Sequence, residues 1–243
     1  MDKSQELAVS QMRKSVEKLG VSTEKYRDPT LMRFLIARSM DTDKAAKMFV
    51  QWQKWRNALV PLGSVTDSEV QDELEAKKIY LQGLSKKGFP IMIVKGSKHF
   101  PSNDQTQFKK FVVHILDKTI ASSFKGREIG DEKLIGILDL KDLTYKNVDA
   151  RALITGFQFV QAYYPECLAK CYIVHMPRFF VSIWRIVSYF LEKATLEKIK
   201  IVNNEEERRE LVKDIGEEAL PEEYGGQAKL VPIQDVVLPP LNH

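Results

Sequence analysis

Three short apolar runs, LIGILDL at 134–140, KCYIVH at 170–175 and IKIV at 199–202, are separated by stretches with helical patterning at 147–164 and 177–195. Strands joined through long helices cannot pair as hairpins. They lie parallel, buried on both faces, with helices covering the sheet. Upstream, IYLQGLSKKGFPIMIVKG reads as two strands with a turn at Lys86, Lys87 and Gly88. An amphipathic helix at 108–120 and a polar loop at 122–133 lead from that hairpin to the first of the three runs. The expected architecture is α/β, with a mixed, largely parallel sheet flanked by helices.

The first third of the chain has a different grammar. Leu7, Val9, Met12, Val16 and Leu19 keep a helical period up to Gly20; Pro29 and Thr30 open a second helix, and Asp41 is placed to cap a third. In that third helix Ala45, Met48, Phe49, Trp52 and Trp55 recur at steps of three and four, an aromatic seam. A polar helix at 68–77, a charged helix at 205–216 and the loop LPEEYGG complete the pattern. The chain is expected to divide into a helical module at 1–62, a sheet-bearing domain at 68–228 and an extended tail at 229–243 that carries Pro232, Pro239 and Pro240.

The segment 178–198, RFFVSIWRIVSYFLEKATLEK, is unusual. At about 100° per residue, Phe179, Phe180, Ile183, Trp184, Ile186, Val187, Phe190 and Leu191 share one broad face, opposite Ser182, Arg185, Ser188, Tyr189 and Glu192. An arc roughly 160° wide is generous for a helix packed on one neighbour. A membrane span needs about 20 apolar residues, and Arg185 interrupts this run. Periodicity alone leaves two readings: a core-facing helix with an aromatic bias, or a mobile wall over a hydrophobic cavity that exchanges protein contacts for membrane contacts.

Composition narrows the classes further. At 243 residues, 44% hydrophobic and 29% charged, the chain is long enough for a sizeable core, and a net charge of +4 with interleaved signs does not point to nucleic acid. That charge suits transient attraction to an anionic membrane. Cys167 and Cys171 have no companion ligand pair and read as buried apolar residues, neither disulfide nor metal site. The amino-terminal stretch has no apolar signal core, and no prenylation or retention motif ends the chain, so a cytoplasmic protein with peripheral membrane contact is expected.

Enzyme readings fail on their loops. There is no GxxxxGK[ST], no GxGxxG after a strand and no GxSxG. His99, His114, His175 and His243 are scattered without metal-ligand spacing, and Asp139 and Asp142, at a strand end, read as loop and cap residues rather than a catalytic pair. No catalytic residue, metal or cofactor is expected. The strand ends remain the place where open α/β sheets bind ligands.

Several separated motifs together resemble the CRAL-TRIO family, specifically the Sec-fourteen-like phosphatidylinositol transfer proteins. LMRFLIARSMDTDKAAKMFVQWQKWR is similar to the family's helical module, KKGFPIMIV to its hairpin and ILDLK to its central strand with an acidic turn; FQFVQAYYPECLAKCYIVHMPRFF, the segment 178–198, TLEKIKIV and LPEEYGG then follow in the family's order. The resemblance implies a hydrophobic pocket for one lipid, a gate helix over it, no enzymatic activity and a monomer that meets membranes transiently. It turns the segment 178–198 into a lid.

The resemblance also implies a headgroup site. Thr195 and Lys198 stand where the family's Thr and Lys meet the inositol phosphate, and Glu166 matches the acidic residue beside them. Arg38 matches an arginine of the helical module, while Ser39 replaces a frequent Lys. The phosphatidylcholine set is not kept: its hydroxyl positions fall at Leu134 and Gly136, and Asp142 stands where Gly is usual. The expected ligand is phosphatidylinositol, bound as cargo rather than cofactor. The alternatives are a carrier for a sterol, tocopherol-like molecule, terpenoid or other phospholipid, and a lipid-responsive adaptor.

Overall fold

The computed structural model describes residues 1–123 and 132–238. Most of the expected loop at 122–133, and the chain end with Pro239, Pro240 and His243, lie outside them.

Three helices open the chain: α1 Lys3–Lys18, α2 Asp28–Ala37 and α3 Thr42–Leu59. Each begins as its sequence dictates. Asp2 and Gln5 form a reciprocal cap on α1, Pro29 sits in the first turn of α2, and the Asp41 carboxylate accepts the Lys44 N–H on α3. Val9, Met12 and Val16 are buried as their period requires, whereas Leu7 and Leu19 are solvent-exposed at the ends of that stripe. Phe34, Phe49, Trp52 and Tyr26 meet edge to face or tilted, with centroids 5.0–5.6 Å apart.

The segment 68–77 is not one helix but a 3₁₀ turn, Asp67–Val70, followed by the short α4, Gln71–Glu75. Strands β1 Ile79–Leu84 and β2 Pro90–Lys95 form the antiparallel hairpin. Gly88 supplies the positive φ of 76° that its turn requires. Next come α5 Gln105–Ala121, β3 Leu134–Asp139, α6 Ala150–Tyr163, β4 Leu168–Val174, α7 Phe180–Tyr189, α8 Lys193–Leu196, β5 Ile199–Val202 and α9 Glu205–Ile215. The sheet order is β1-β2-β3-β4-β5, parallel from β2 onward.

That order decides where the helices go. Each crossover moves one strand further in the same direction, and right-handed crossovers that never reverse place their helices on one face. Ile79, Leu81, Met92 and Leu134 accordingly pack with α5 and α6, and Leu138 and Ile173 pack with Phe180 of α7. The opposite face, with Tyr80, Ile91, Ile93, Ile135, Ile137 and Tyr172, is closed by Leu211 and Ile215 of α9 together with Leu220 and Tyr224. Gly226, after that tyrosine, lies so close to the backbone of Leu220 that any Cβ would collide with it. Along the outer edge of β1, the Leu81 N–H donates to the Val231 carbonyl at 2.9 Å and Ile233 is fully buried, so the edge is covered.

The expected single helix at 177–195 is interrupted. Residues 177–179 form a turn, α7 ends at Tyr189, Leu191 turns into the core, and Glu192 is extended before α8. The reason is topological. The chain must return so that Ile199 pairs beside Cys171, which a straight helix through 195 does not allow.

A ring stack and a buried ion pair are among the contacts that lock the helical module to the rest. Trp55 stacks on Tyr163 of α6 with centroids 3.8 Å apart. Arg56 reaches Asp117 of α5 with both guanidinium ends, at 3.1 and 2.5 Å, and the Tyr164 hydroxyl donates to the same carboxylate at 2.7 Å. Burial pushes the Tyr164 hydroxyl well above its ordinary pKa, and the adjacent carboxylate adds to this, so the phenol remains a donor. Arg56→Ala breaks this buried ion pair and is expected to lower unfolding stability by about 3–5 kcal/mol, measured by urea denaturation.

Candidate functional site

Between the sheet and its helical layer the core is not filled. A cavity of about 190 Å³ is lined by Met92, Val94, Leu134, Gly136 and Leu138 of the sheet, Phe111 and Ile115 of α5, Ala152, Gly156 and Phe157 of α6, and Phe180 of α7. Small side chains create the space: a Cβ at Gly156 meets nothing within 4 Å, and at Gly136 only Cys171 Sγ at 3.7 Å. At about 24 cal/mol per Å³ an empty apolar cavity of this size destabilises a fold by roughly 4–5 kcal/mol. It also falls below the roughly 300 Å³ of small-molecule pockets, so a two-chain lipid requires the helical wall to move outward.

The expected gate forms the part of that wall at α7. Phe180, Val187 and Leu191 are buried, while Phe179, Ile183 and Trp184 are partly buried against the core. Trp184 meets Phe157 of α6 edge to face at 6.0 Å, and Phe179 meets Tyr145 at 4.4 Å. Ile186 and Phe190, which the helical wheel places with the inward set, instead face solvent at 57% and 47% exposure, beside Val181 and Tyr189. Ile186 sits at the edge of the apolar arc of α7, and Phe190 follows the last residue of that helix. The helix is therefore apolar on both sides, and of the expected gate residues only Phe180 lines the cavity.

At the amino ends of β4 and β5 the structure brings Glu166 and Lys198 together, with Lys198 Nζ 3.5 Å from Glu166 Oε2. Lys133 completes this group: its ammonium lies 3.8 Å from the same oxygen and donates to the Glu166 carbonyl at 3.0 Å. Nothing in the sequence marked Lys133. The tight turn between α6 and β4 holds Glu166 in a left-handed conformation, φ 60°, which aims its side chain at both lysines. Thr195 is buried one helical turn before Lys198, whose N–H donates to the Thr195 carbonyl. Two loosely held ammonium groups can donate to a phosphate while the carboxylate accepts from hydroxyls.

Arg38 and Ser39 end α2. Arg38 donates to the Ala37 carbonyl, Ser39 is exposed at φ 51°, and among the described residues no hydrogen bond or ion pair joins either to Glu166, Thr195 or Lys198. Five residues earlier, Arg33 does reach this end, donating to Cys167 Sγ at 2.9 Å. None of Arg38, Ser39, Glu166, Thr195 and Lys198 lines the cavity.

Asp139, at the end of β3, is a structural hub. Fully buried, it accepts from Lys95 and His175 at 2.8 Å, Tyr224 at 2.7 Å and the Lys141 N–H at 3.0 Å. Burial raises its pKa, but those donors outweigh it and hold the carboxyl below its ordinary 3.8. Asp142 adopts φ 57° in the following turn, a conformation natural to glycine and tolerated by aspartate. Cys167 and Cys171 are free and buried, and burial pushes the Cys171 thiol up to about 12.

A second polar group carries no signal in the sequence. Lys78, just before β1, pairs with Glu73 at 4% and 6% side-chain exposure. The Lys78 ammonium also donates to His99 Nδ1 at 3.0 Å, which leaves the His99 Nε2–H to donate to Asp149 Oδ2 at 3.3 Å. The Asp149 Oδ1 atom caps α6 through the Ala152 N–H, 2.8 Å away. Residues 73, 78, 99 and 149 share no sequence period, so only their spatial meeting reveals them. Desolvation and the Lys78 charge together hold His99 below its ordinary pKa of 6.5, against the pull of Asp149.

The CRAL/TRIO domain matches residues 74–226, and the chain belongs to that family; its relatives include Sec14-like transfer proteins. It is 30% identical to the CRAL-TRIO domain-containing protein YKL091C of Saccharomyces cerevisiae, over 95% of this chain and 80% of that one. It is 28% identical to the SEC14 cytosolic factor of Eremothecium gossypii, over 92% and 76%, and 27% identical to the phosphatidylinositol/phosphatidylcholine transfer protein SFH9 of Arabidopsis thaliana, over 94% of this chain but 42% of that longer protein. The crystal structure of Sfh5 superposes with a TM-score of 0.65 over 97% of this chain and 92% of the other at 16% identity, which establishes the shared fold.

The histidine gives a pH signature. Between the folded pKa of His99 and 6.5 the unfolded chain binds a proton that the folded protein refuses, so stability is full above that window and falls as pH drops through it. Urea midpoints measured from about pH 7 to pH 5 are expected to decline in the native protein and to flatten in His99→Phe.

Proposed function

We propose that this chain is a non-enzymatic carrier that takes one phosphatidylinositol molecule, acyl chains in the cavity, and moves it between membranes. The observation that carries the reading is the apolar cavity walled by a helix that is apolar on both faces. Phe180 closes the inner side, and Ile186, Tyr189 and Phe190 already face outward, where a bilayer interface receives them. Arg178 and Arg185 on the same segment attract anionic lipid.

Lys198, with Thr195 and Glu166, is the proposed headgroup site, and Lys133 joins it from the structure. Its position outside the cavity suits a headgroup left at the surface while the chains enter. No helix among the described residues is long and apolar enough to cross a membrane, and the proposed working form is a cytoplasmic monomer with transient peripheral membrane contact.

A second reading, a carrier for a less polar hydrophobe, is favoured by Leu134 and Gly136 on the cavity wall, where neither side chain can hydrogen-bond. Native mass spectrometry of protein purified from its own cells separates the two by ligand mass.

A charge-assisted hydrogen bond to phosphate contributes about 1.5–3 kcal/mol, so Lys198→Ala is expected to slow transfer of labelled phosphatidylinositol between liposomes by about tenfold or more. Unchanged transfer removes the headgroup assignment and leaves the cavity standing. Ile186→Asp combined with Phe190→Asp is expected to abolish vesicle association while stability shifts by no more than about 1 kcal/mol, because both side chains are about half-exposed to water. Undiminished vesicle binding overturns the role of the outer face of α7.

A further inference from the structure

The turn that follows β3 presents an aromatic ring to solvent and is fixed in that pose. Tyr145 is 75% exposed at the start of a 3₁₀ turn, Tyr145–Asn147. Its ring centroid lies 4.4 Å from that of Phe179, the residue before α7. The Asn147 side-chain amide donates to the Ser97 and His99 carbonyls at 3.0 and 2.9 Å. Its carbonyl oxygen accepts from the Thr144 N–H and hydroxyl at 3.1 and 2.6 Å. Asn147 is buried, and Leu140, Leu143 and Val148 pack in the cluster that holds Phe180. Ser97 and His99 follow β2, and Leu140 follows β3, so the turn is fastened to the sheet rather than to α7.

Charge at this place is one-sided. Lys141 and Lys146 lie to either side of Tyr145 in the chain, and Arg178 adjoins Phe179. All three are exposed, and among the described residues no hydrogen bond or ion pair engages their charged groups. The one acid between Leu140 and Val148 is Asp142. A lone exposed tyrosine needs no explanation. A tyrosine held rigid beside a second ring, among unpaired lysine and arginine side chains, has the chemistry of a bilayer-interface anchor. The ring body sits at headgroup level, the hydroxyl stays wet and the cations meet anionic lipid. Phe179 joins this turn to α7, whose exposed Val181, Ile186, Tyr189 and Phe190 continue the apolar surface.

We propose that the turn 141–146 is a second, fixed anchor for an anionic bilayer, placed at the amino end of α7. Because it hangs on the sheet, it keeps its position when α7 moves, and the body of the protein stays on the membrane while the wall beside it opens. This anchor rests on the bilayer contact proposed for α7 and gives that contact a charged, immobile edge.

Cosedimentation with vesicles tests it, using equal parts phosphatidylcholine and phosphatidylserine in one set and phosphatidylcholine alone in the other. Each charge near an anionic surface changes affinity about fivefold. Tyr145→Ser combined with Lys146→Glu is therefore expected to weaken binding to the anionic vesicles at least about tenfold. Asp142→Gly removes the acid at a φ of 57°, which glycine adopts freely, and is expected to strengthen the same binding about fivefold. Urea midpoints of both variants are expected to match the native one, because the substituted side chains are exposed. If the double variant binds anionic vesicles as the native protein does while Ile186→Asp with Phe190→Asp loses them, the second anchor is overturned and α7 stands as the contact. If neither double variant loses binding, the anchor falls together with the membrane role of α7. Equal losses on both kinds of vesicle overturn the selection for anionic lipid.

Discussion

Everything in this protein depends on crossovers that advance across the sheet without reversing. Because β2, β3, β4 and β5 lie in chain order, α5, α6 and α7 share one face and the other is left to α9 and the segment after it. The two faces are consequently closed in different ways. On the α9 side large side chains such as Tyr172 and Ile137 interdigitate to close packing. On the other side three helices bridge a wide sheet, and the small residues Gly136, Ala152 and Gly156 leave a chamber. A cavity arises there because covering, not filling, is what that layer achieves.

Charge is distributed to suit such a chamber. The buried groups that tie the scaffold together, Arg56 with Asp117 and Asp139 with Lys95, His175 and Tyr224, are each met by several partners. Glu166, Lys133 and Lys198, the group proposed to meet a headgroup, are looser, partly exposed and separated by 3.5–3.8 Å. Lys78 falls between these cases. It is as buried as a scaffold charge, yet it keeps a donor unspent at the cavity wall.

Much of this was legible in the residues alone. Asp41 as a cap, the turn at Gly88, the five strands and the aromatic seam through Phe49 and Trp52 are local or periodic signals, and each appears where the pattern puts it. The segment after Met176 was legible in composition but not in shape. A helical wheel assumes one straight axis and a wide partner, whereas α7 ends at Tyr189, and only the centre of its apolar arc is covered, which leaves Ile186 and Phe190 to solvent. Lys133 and the group of Glu73, Lys78, His99 and Asp149 carried no sequence signal, because a charge pattern read along the chain cannot register partners supplied from distant elements.

The sequence by itself determined the alternation of strands and helices, the caps and turns that bound them, and an aromatic segment too apolar for an ordinary surface helix. These follow from short-range sterics and hydrophobic period, which act residue by residue. Only the tertiary structure decided that a chamber remains between sheet and helices, which face of α7 meets it, and which charges stand at its ends. Those properties depend on the volume left after packing and on contacts between residues far apart in the chain, and neither quantity exists until the layers come together.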